Sequence, residues 1–359
     1  MIKGLWAGVA LALAALSAGV HGDPGDERIL AAREALRTGD RSALEQLDAQ
    51  RTSHPLEPYV RYWLLSNKLA RPDPAPIIEL TEFLLQDPDS LLAERLRADW
   101  LRRTVRDEDW SGFVRLYADL REPDAELRCH YRTARLNLGD TAVLAETRAQ
   151  WMELTGSHVA CEPVLRALAT GGAVSADELW WRFRRQIETR SFTAARSTLA
   201  WLAAGEMPKL ASFDHAVKSP EAYLDRLPAN FAATRPGREL ALTALVSLAR
   251  KDDPRAAQVR FQRISDRLDH DERAYAHAIL GHFGALARLP QASEWYRAAG
   301  DVAMSSEQRA WRVRAALRVE DWRMVESSIE ALPAAEQARA EWIYWLGRAR
   351  AALGRADEA

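Results

Sequence analysis

One joint recurs along this chain and limits what it can fold into. In Arg314 to Leu332, RAALRVEDWRMVESSIEAL, apolar residues at helical spacing lead down to Leu317. Asp321-Trp322 then turns the chain, and a second apolar-faced helix runs to Leu332. Aligned on the aspartate, the pattern returns. Asp40 has Leu36 four residues before it and Leu44 four after; Asp109 has Val105 and Phe113; Asp140 has Leu136 and Leu144; Asp321 has Leu317 and Val325. A weaker copy centres on Ser191, between Ile187 and Ala195. An Asp or Ser there accepts the orphan amide hydrogens of the next helix's first turn. The flanking apolar residues meet where the two helices pack back to back. A chain of such hairpins is an all-α solenoid.

The punctuation elsewhere agrees. Asp73-Pro74, Asp87-Pro88, Ser219-Pro220 and Asp253-Pro254 each place a capping residue before a proline at the first helical position. Ser175 to Glu178 and Ser305 to Gln308 read as capping boxes. Gly39 and Gly139 stand where a left-handed C-terminal residue is wanted. Apolar residues recur at three and four: Leu92, Leu96, Trp100 and Leu101 in one helix, Leu240, Leu242, Leu245, Val246 and Leu248 in another. No sustained alternation and no Asn-Gly or Asp-Gly hairpin signal argues for strands. The reading is about twenty helices, mostly of about 11–16 residues, joined by short loops. Met207-Pro208, Pro220, Pro228 and Pro236 make 205–236 the least regular zone, where a break in the superhelix is expected. The last joint, Gly354-Arg355-Ala356-Asp357, begins a hairpin without its second helix, so a chain that continues is expected.

The 359 residues are 28% charged with a formal net charge of −2, acids and bases interspersed, which implies no long-range attraction to nucleic acid or to an anionic membrane. Residues 1–22 read as a cleavable export signal. Lys3 supplies the positive start, Leu5 to Leu16 the apolar run, and Val20 and Gly22 the small residues before Asp23. The mature chain is then 23–359. Its two cysteines, Cys129 and Cys161, suggest a disulfide in an oxidising compartment. Closing a loop of about 30 residues would stabilise by roughly 3–4 kcal/mol. The rival is a zinc site drawing on Cys129, His130, His158 and Cys161, although adjacent Cys-His is poor ligand geometry.

One segment departs from the hairpin rhythm: Ser53-His54-Pro55-Leu56-Glu57-Pro58-Tyr59-Val60-Arg61-Tyr62-Trp63-Leu64-Leu65. It resembles the hPLxPYlxYrxL signature near the mature N-terminus of the soluble lytic murein transglycosylases. Asp107-Glu108-Asp109-Trp110, the Cys129-His130-Tyr131 and Ala160-Cys161 pair, Met207-Pro208, Glu341-Trp342-Ile343-Tyr344-Trp345, Gly354-Arg355 and Glu358-Ala359 resemble further family stretches in the same order. The resemblance implies a right-handed, horseshoe-shaped α-superhelix. It also implies a periplasmic enzyme that cleaves the β-1,4 bond between N-acetylmuramic acid and N-acetylglucosamine, leaving 1,6-anhydro ends, with the chemistry in a separate lysozyme-like domain.

That family's catalytic glutamate lies in a Glu-Ser motif followed by Gly-Leu-Met-Gln, and no such stretch occurs here. Glu326-Ser327 reads instead as an exposed helical face. The expectation is a scaffold portion, inactive alone, with no catalytic residue, no cofactor and no metal. Peptidoglycan strands are the expected partner, reached through the missing domain; other cell-wall proteins are further candidates. The alternative is a tetratricopeptide-like interaction module, which the 31-residue spacing from Asp109 to Asp140 and the 33 residues from Asp321 to Gly354 suit. His270, His277 and His282 lack the i, i+4 spacing of a helical metal site. Trp180-Trp181-Arg182-Phe183-Arg184-Arg185 is the sharpest aromatic and basic run. Trp180, Trp181, Arg184 and Arg185 are candidate glycan contacts. The competing reading has the rings filling gaps between helices and the arginines snorkelling.

Overall fold

The computed structural model describes residues 23–156, 159–251, 254–355 and 357. Residues 1–22, where an export signal is expected, and His158, Asp253, Ala356 and Glu358-Ala359 lie outside the described residues. Among the described residues every regular element is helical, and the fold is of the all-α superhelical class. Two compact units divide it, one running to Val143 and the other from Leu144. The irregular zone 205–236 lies within the second unit.

The first unit holds α1 (Pro24–Thr38), α2 (Arg41–Ala49), α3 (Glu57–Ala70), α4 (Ile77–Gln86), α5 (Leu91–Arg106), α6 (Trp110–Tyr117) and α7 (Ala125–Asn137), and the start of α8 (Ala142–Ala149). The second holds the rest of α8, then α9 (Glu162–Thr170), α10 (Ala176–Glu188), α11 (Phe192–Leu199), α12 (Leu210–Lys218) and α13 (Pro220–Asp225). It continues with α14 (Arg235–Lys251), α15 (Pro254–Ile264), α16 (His270–Leu286), α17 (Ala292–Ala299), α18 (Ser306–Arg318), α19 (Trp322–Glu330), α20 (Ala334–Gln337) and α21 (Ala340–Ala352).

Each aspartate joint serves two helices at once. Its backbone N–H closes the first: Asp40 donates to the carbonyl of Ala35 at 2.8 Å, Asp109 to Thr104 at 2.9 Å, Asp140 to Arg135 at 3.0 Å and Asp321 to Ala316 at 3.1 Å. These are the long bonds of Schellman caps. Its carboxylate opens the second, accepting from Ala43 N at 3.0 Å, Gly112 N at 2.9 Å, Ala142 N at 3.0 Å and Met324 N at 3.1 Å respectively. The preceding residue must be left-handed, and it is: Gly39 has φ 71°, Glu108 55°, Gly139 86° and Glu320 54°. At Gly112 a Cβ would stand 2.0 Å from the capping Asp109 Oδ2, so any other residue there would make that carboxylate shift.

Leu44, Phe113, Ala195 and Val325, four residues after the joints, are fully buried. Leu36, Val105, Leu136 and Leu317, four before, are half-buried; Ala35, Thr104 and Ala316, one residue earlier, seal the interior. The helices after joints are short, α2 with 9 residues, α6 with 8, α11 with 8 and α19 with 9, below the expected 11–16, because the next turn follows at once. Trp110 and Trp322 pack half-buried against their local cores.

Both expected capping boxes form, at Ser175–Glu178 and Ser305–Gln308, and Asp269–Glu272 adds a third. Ser219-Pro220 opens α13. Two expected starts are displaced. Asp87-Pro88 lies in a turn, and Ser90 caps α5 instead, its hydroxyl accepting from Ala93 N at 3.1 Å. Asp73-Pro74 precedes a further Pro76, and α4 begins only at Ile77.

Replacing Glu320, a left-handed non-glycine, with Gly should stabilise by about 1 kcal/mol. Asp321→Ala should destabilise by about 1–2 kcal/mol through the lost cap. Urea unfolding of the two variants measures both, and equal or reversed shifts would remove the joint from its role.

Candidate functional site

The signature stretch around Pro55 is a structural corner. Glu57 starts α3, and its carboxylate is gripped by the Arg28 guanidinium of α1, which also donates to the Leu47 carbonyl. Thr52 donates to Glu57 at 3.0 Å, and His54 Nε2 lies 3.0 Å from Asp26. Burial works against the Glu57 charge, but the bonds from Arg28 and Thr52 outweigh it and leave its pKa below the usual range. Further along α3, the Tyr62 hydroxyl donates to Asp99 at 3.2 Å, and burial, then the Asp99 charge, push Tyr62 up to about 12.

The sharpest aromatic and basic run becomes α10, and its side chains enter the interior of the second unit. Trp180 has no exposed face to offer a sugar; its ring meets Phe183 edge-on at 5.4 Å. Trp181 is half-buried with Arg185 over its ring at 5.6 Å. Arg184 makes a two-bonded pair with Glu239 of α14, at 2.8 and 2.9 Å, and that carboxylate is wholly buried. Arg185 pairs with Glu188 at 2.7 Å and donates to Gln308 of α18 at 2.8 Å. Glu188 also accepts from Tyr275 of α16 at 2.8 Å and from Gln308 at 3.1 Å. Four helices thus meet in one polar network. Burial raises the Glu188 pKa despite Arg185 beside it, and burial followed by the Glu188 charge drives Tyr275 far up.

Glu188, Glu239 and Tyr275 carry no motif in the sequence, and Gln308 is marked there only as a capping residue. The available signal was acids placed inside apolar helical runs, Glu239 ahead of Leu240 and Glu188 after Ile187, where an unpaired charge would be too costly to bury.

Glu326-Ser327 sits on α19. Glu326 is held by Arg355 and by Arg350 of α21, so its side chain is mostly covered, not exposed as expected. The Arg355 bond lowers its pKa, opposite to what a general acid needs. Ser327 donates to the carbonyl of Met324 at 3.3 Å. Of the three histidines, His270 begins α16 at the surface, His277 packs edge-on against Phe261 at 4.9 Å, and His282 is buried beside Phe283. Both cysteines are disulfide-bonded, which removes the thiolates that a zinc site would need. In the closing aromatic stretch Trp342 is core, while Ile343 and Tyr344 of α21 face solvent.

Capped hairpins around a buried polar network define a protein of the all-α superhelical class. No family model matches the chain. It is similar to the soluble lytic murein transglycosylases of Escherichia coli K12, 24% identical over 329 residues, and of Salmonella typhimurium LT2, 25% identical over 330. Each alignment covers 88% of this chain and 49% of the relative, so the chain spans about half the length of the curated relatives it matches. Among solved structures, an inactive mutant of the lytic transglycosylase Slt from Pseudomonas aeruginosa aligns with TM-score 0.58 at 22% identity, over 94% of this chain and 54% of that one. The 70-kDa soluble lytic transglycosylase in complex with bulgecin A aligns at 0.51 and 21%, over 93% and 54%. The chain is thus similar along most of its length to soluble lytic murein transglycosylases, and it shares an all-α fold with the solved ones.

Removing Arg184 leaves Glu239 buried with only the longer contact from Arg235, at 3.5 Å. Arg184→Met should therefore cost about 3 kcal/mol in denaturant unfolding, and adding Glu239→Leu should recover most of it. A single variant as stable as the parent would refute the pairing.

Burial, then the charges of Arg185 and Arg250, pull His282 from 6.5 down to about 4. The folded state resists its protonation, so this stability is complete above pH 6.5 and drains away as pH falls towards about 4. His282→Gln should lose less melting temperature than the parent between about pH 7 and pH 5. A parallel loss in the two proteins would show that His282 does not titrate as described.

Proposed function

We propose that this chain is the superhelical scaffold portion of a peptidoglycan lytic transglycosylase, the enzyme class that cuts N-acetylmuramic acid to N-acetylglucosamine bonds and leaves 1,6-anhydro ends. The observation that carries the reading is alignment along 88% of the chain with enzymes of that name. The interior roles of its motif residues support it. Glu57 ties down a corner, Trp342 packs a core, and Glu326 is neutralised by arginines. In this reading residues 23–359 carry no catalytic group and take no cofactor. The reaction falls to the half of those enzymes that the chain does not span. The scaffold holds that half against glycan strands. Residues 1–22 direct export to the periplasm. Among the described residues no helix is long and apolar enough to cross a membrane.

The competing reading, an interaction module with tetratricopeptide-like spacing, makes a different prediction. Purified chain incubated with peptidoglycan sacculi should release no anhydro-muropeptides. A chimaera in which it replaces the matching half of the Escherichia coli enzyme should release them. Release by the chain alone would overturn the scaffold assignment. A folded but inactive chimaera would favour the interaction module.

A further inference from the structure

The Ser191 joint differs from its four aspartate counterparts in what it lacks. Its backbone is the same: Arg190 is left-handed at φ 62°, and Ser191 N donates to the Gln186 carbonyl at 2.8 Å. There is no carboxylate, however, and the serine does not replace it. Its hydroxyl lies 3.1 Å from that of Thr189, and α11 begins with no side-chain cap. The first-turn amides of Thr193 and Ala194 are thus left with the positive end of an eight-residue helix uncompensated.

A cavity of 270 Å³ opens over that end, lined by Thr193, Ala194 and Ser197 of α11 and by Leu165, Arg182 and Trp201. Arg182 is 2% exposed, yet no carboxylate pairs with it. Its partners are the Leu154 carbonyl at 2.9 Å, the Trp151 carbonyl at 3.5 Å, and the rings of Trp151 and Trp201 at 4.8 and 5.9 Å. Its Nε–H is buried without an acceptor. Desolvation, unopposed by any anion, pulls its pKa down to about 10. Arg190, exposed, lines the same cavity, and Glu162 at the rim is occupied by Arg166 at 2.7 Å.

A buried guanidinium with no anion beside it is costly. Here Arg182 lines the same cavity as the one joint, among the five, whose anion is missing. We infer that the cavity above α11 binds a small carboxylate, which takes the place that the joint aspartate holds elsewhere in the chain. The apolar walls at Leu165, Phe192 and Trp201 favour an acid with an aliphatic flank, such as the carboxyl end of a short peptide. A single buried charge suits a monoanion better than a phosphate dianion. The cavity is small for a ligand site, which limits the occupant to the last residues of such a peptide. The inference does not rest on the scaffold reading.

Calorimetric titration of the full chain with N-acetyl-alanyl-alanine, its amide, acetate and inorganic phosphate tests this. The acid should bind, and the amide should bind at least about tenfold more weakly. Ser191→Asp should supply the missing carboxylate itself. It should raise the melting temperature and weaken binding of the acid by at least about tenfold. The variant that competes for the site is thus also the one expected to fold best. Acetate binding as tightly as the dipeptide would support a free small acid as the occupant; weaker acetate binding would support a peptide end. The inference is overturned by no binding tighter than about 1 mM for either acid, by equal binding of acid and amide, by a preference for phosphate, or by unchanged affinity in Ser191→Asp.

Discussion

The structure depends on one residue position used twice. At Asp40, Asp109, Asp140 and Asp321 the backbone N–H ends one helix and the side chain begins the next. Both sets of orphan groups at a helix junction are satisfied with almost no loop between them. Two consequences follow. The residue before the aspartate is forced left-handed, which Gly39 and Gly139 adopt freely and Glu108 and Glu320 adopt at a cost. The second helix starts at a set angle, so Leu44, Phe113 and Val325, four beyond their joints, arrive in the core, while after Asp140 it is Val143, three beyond, that is buried and Leu144 is half-buried. Each unit is an array of such hairpins, and its stability accumulates from repeated local solutions of about 1 kcal/mol each.

Where the second unit thickens, local capping is insufficient and buried charge enters. Arg184 with Glu239 and Arg238 with Glu272 link helices far apart in the chain, and Arg185, paired with Glu188 on its own helix, reaches Gln308 of α18. The planar guanidinium makes two parallel bonds to a carboxylate, which a lysine cannot do. Only five of the 49 basic residues are lysine. The enrichment reads first as genomic base composition, yet the interior makes use of it. Such pairs fix geometry more than they add stability, because desolvation of both charges offsets most of the attraction. Breaking one is costly for the same reason.

Legibility followed the range of the interactions. Joints, capping boxes and left-handed glycines are written within about six residues, and most of those were readable, although the Asp269–Glu272 box and the left-handed Gly172 and Gly300 were not read and Ser191 does not cap α11 as expected. Starts failed where two local signals competed, as when Ser90 displaced Asp87 as the cap of α5. The family motifs were readable as text, but their roles were not. Glu57 and Trp342 turn out to pair and pack, which no pattern of spacing announces. Trp180 to Arg185 shows the limit most clearly. Alternating aromatic and basic residues suit a sugar surface and a buried cation–π and ion-pair seam equally well. Only partners such as Glu239 and Gln308, between about fifty and more than a hundred residues away, distinguish the two.

The chain by itself determined the secondary structure class, the repeat and the places where helices turn. These rest on periodicity and on short-range hydrogen bonds, which a linear string records directly. The tertiary structure decided which charges are buried and paired, which histidine is held neutral and which buried arginine is left without an anion. Those outcomes depend on desolvation, and desolvation is set by neighbours that the chain brings together only on folding.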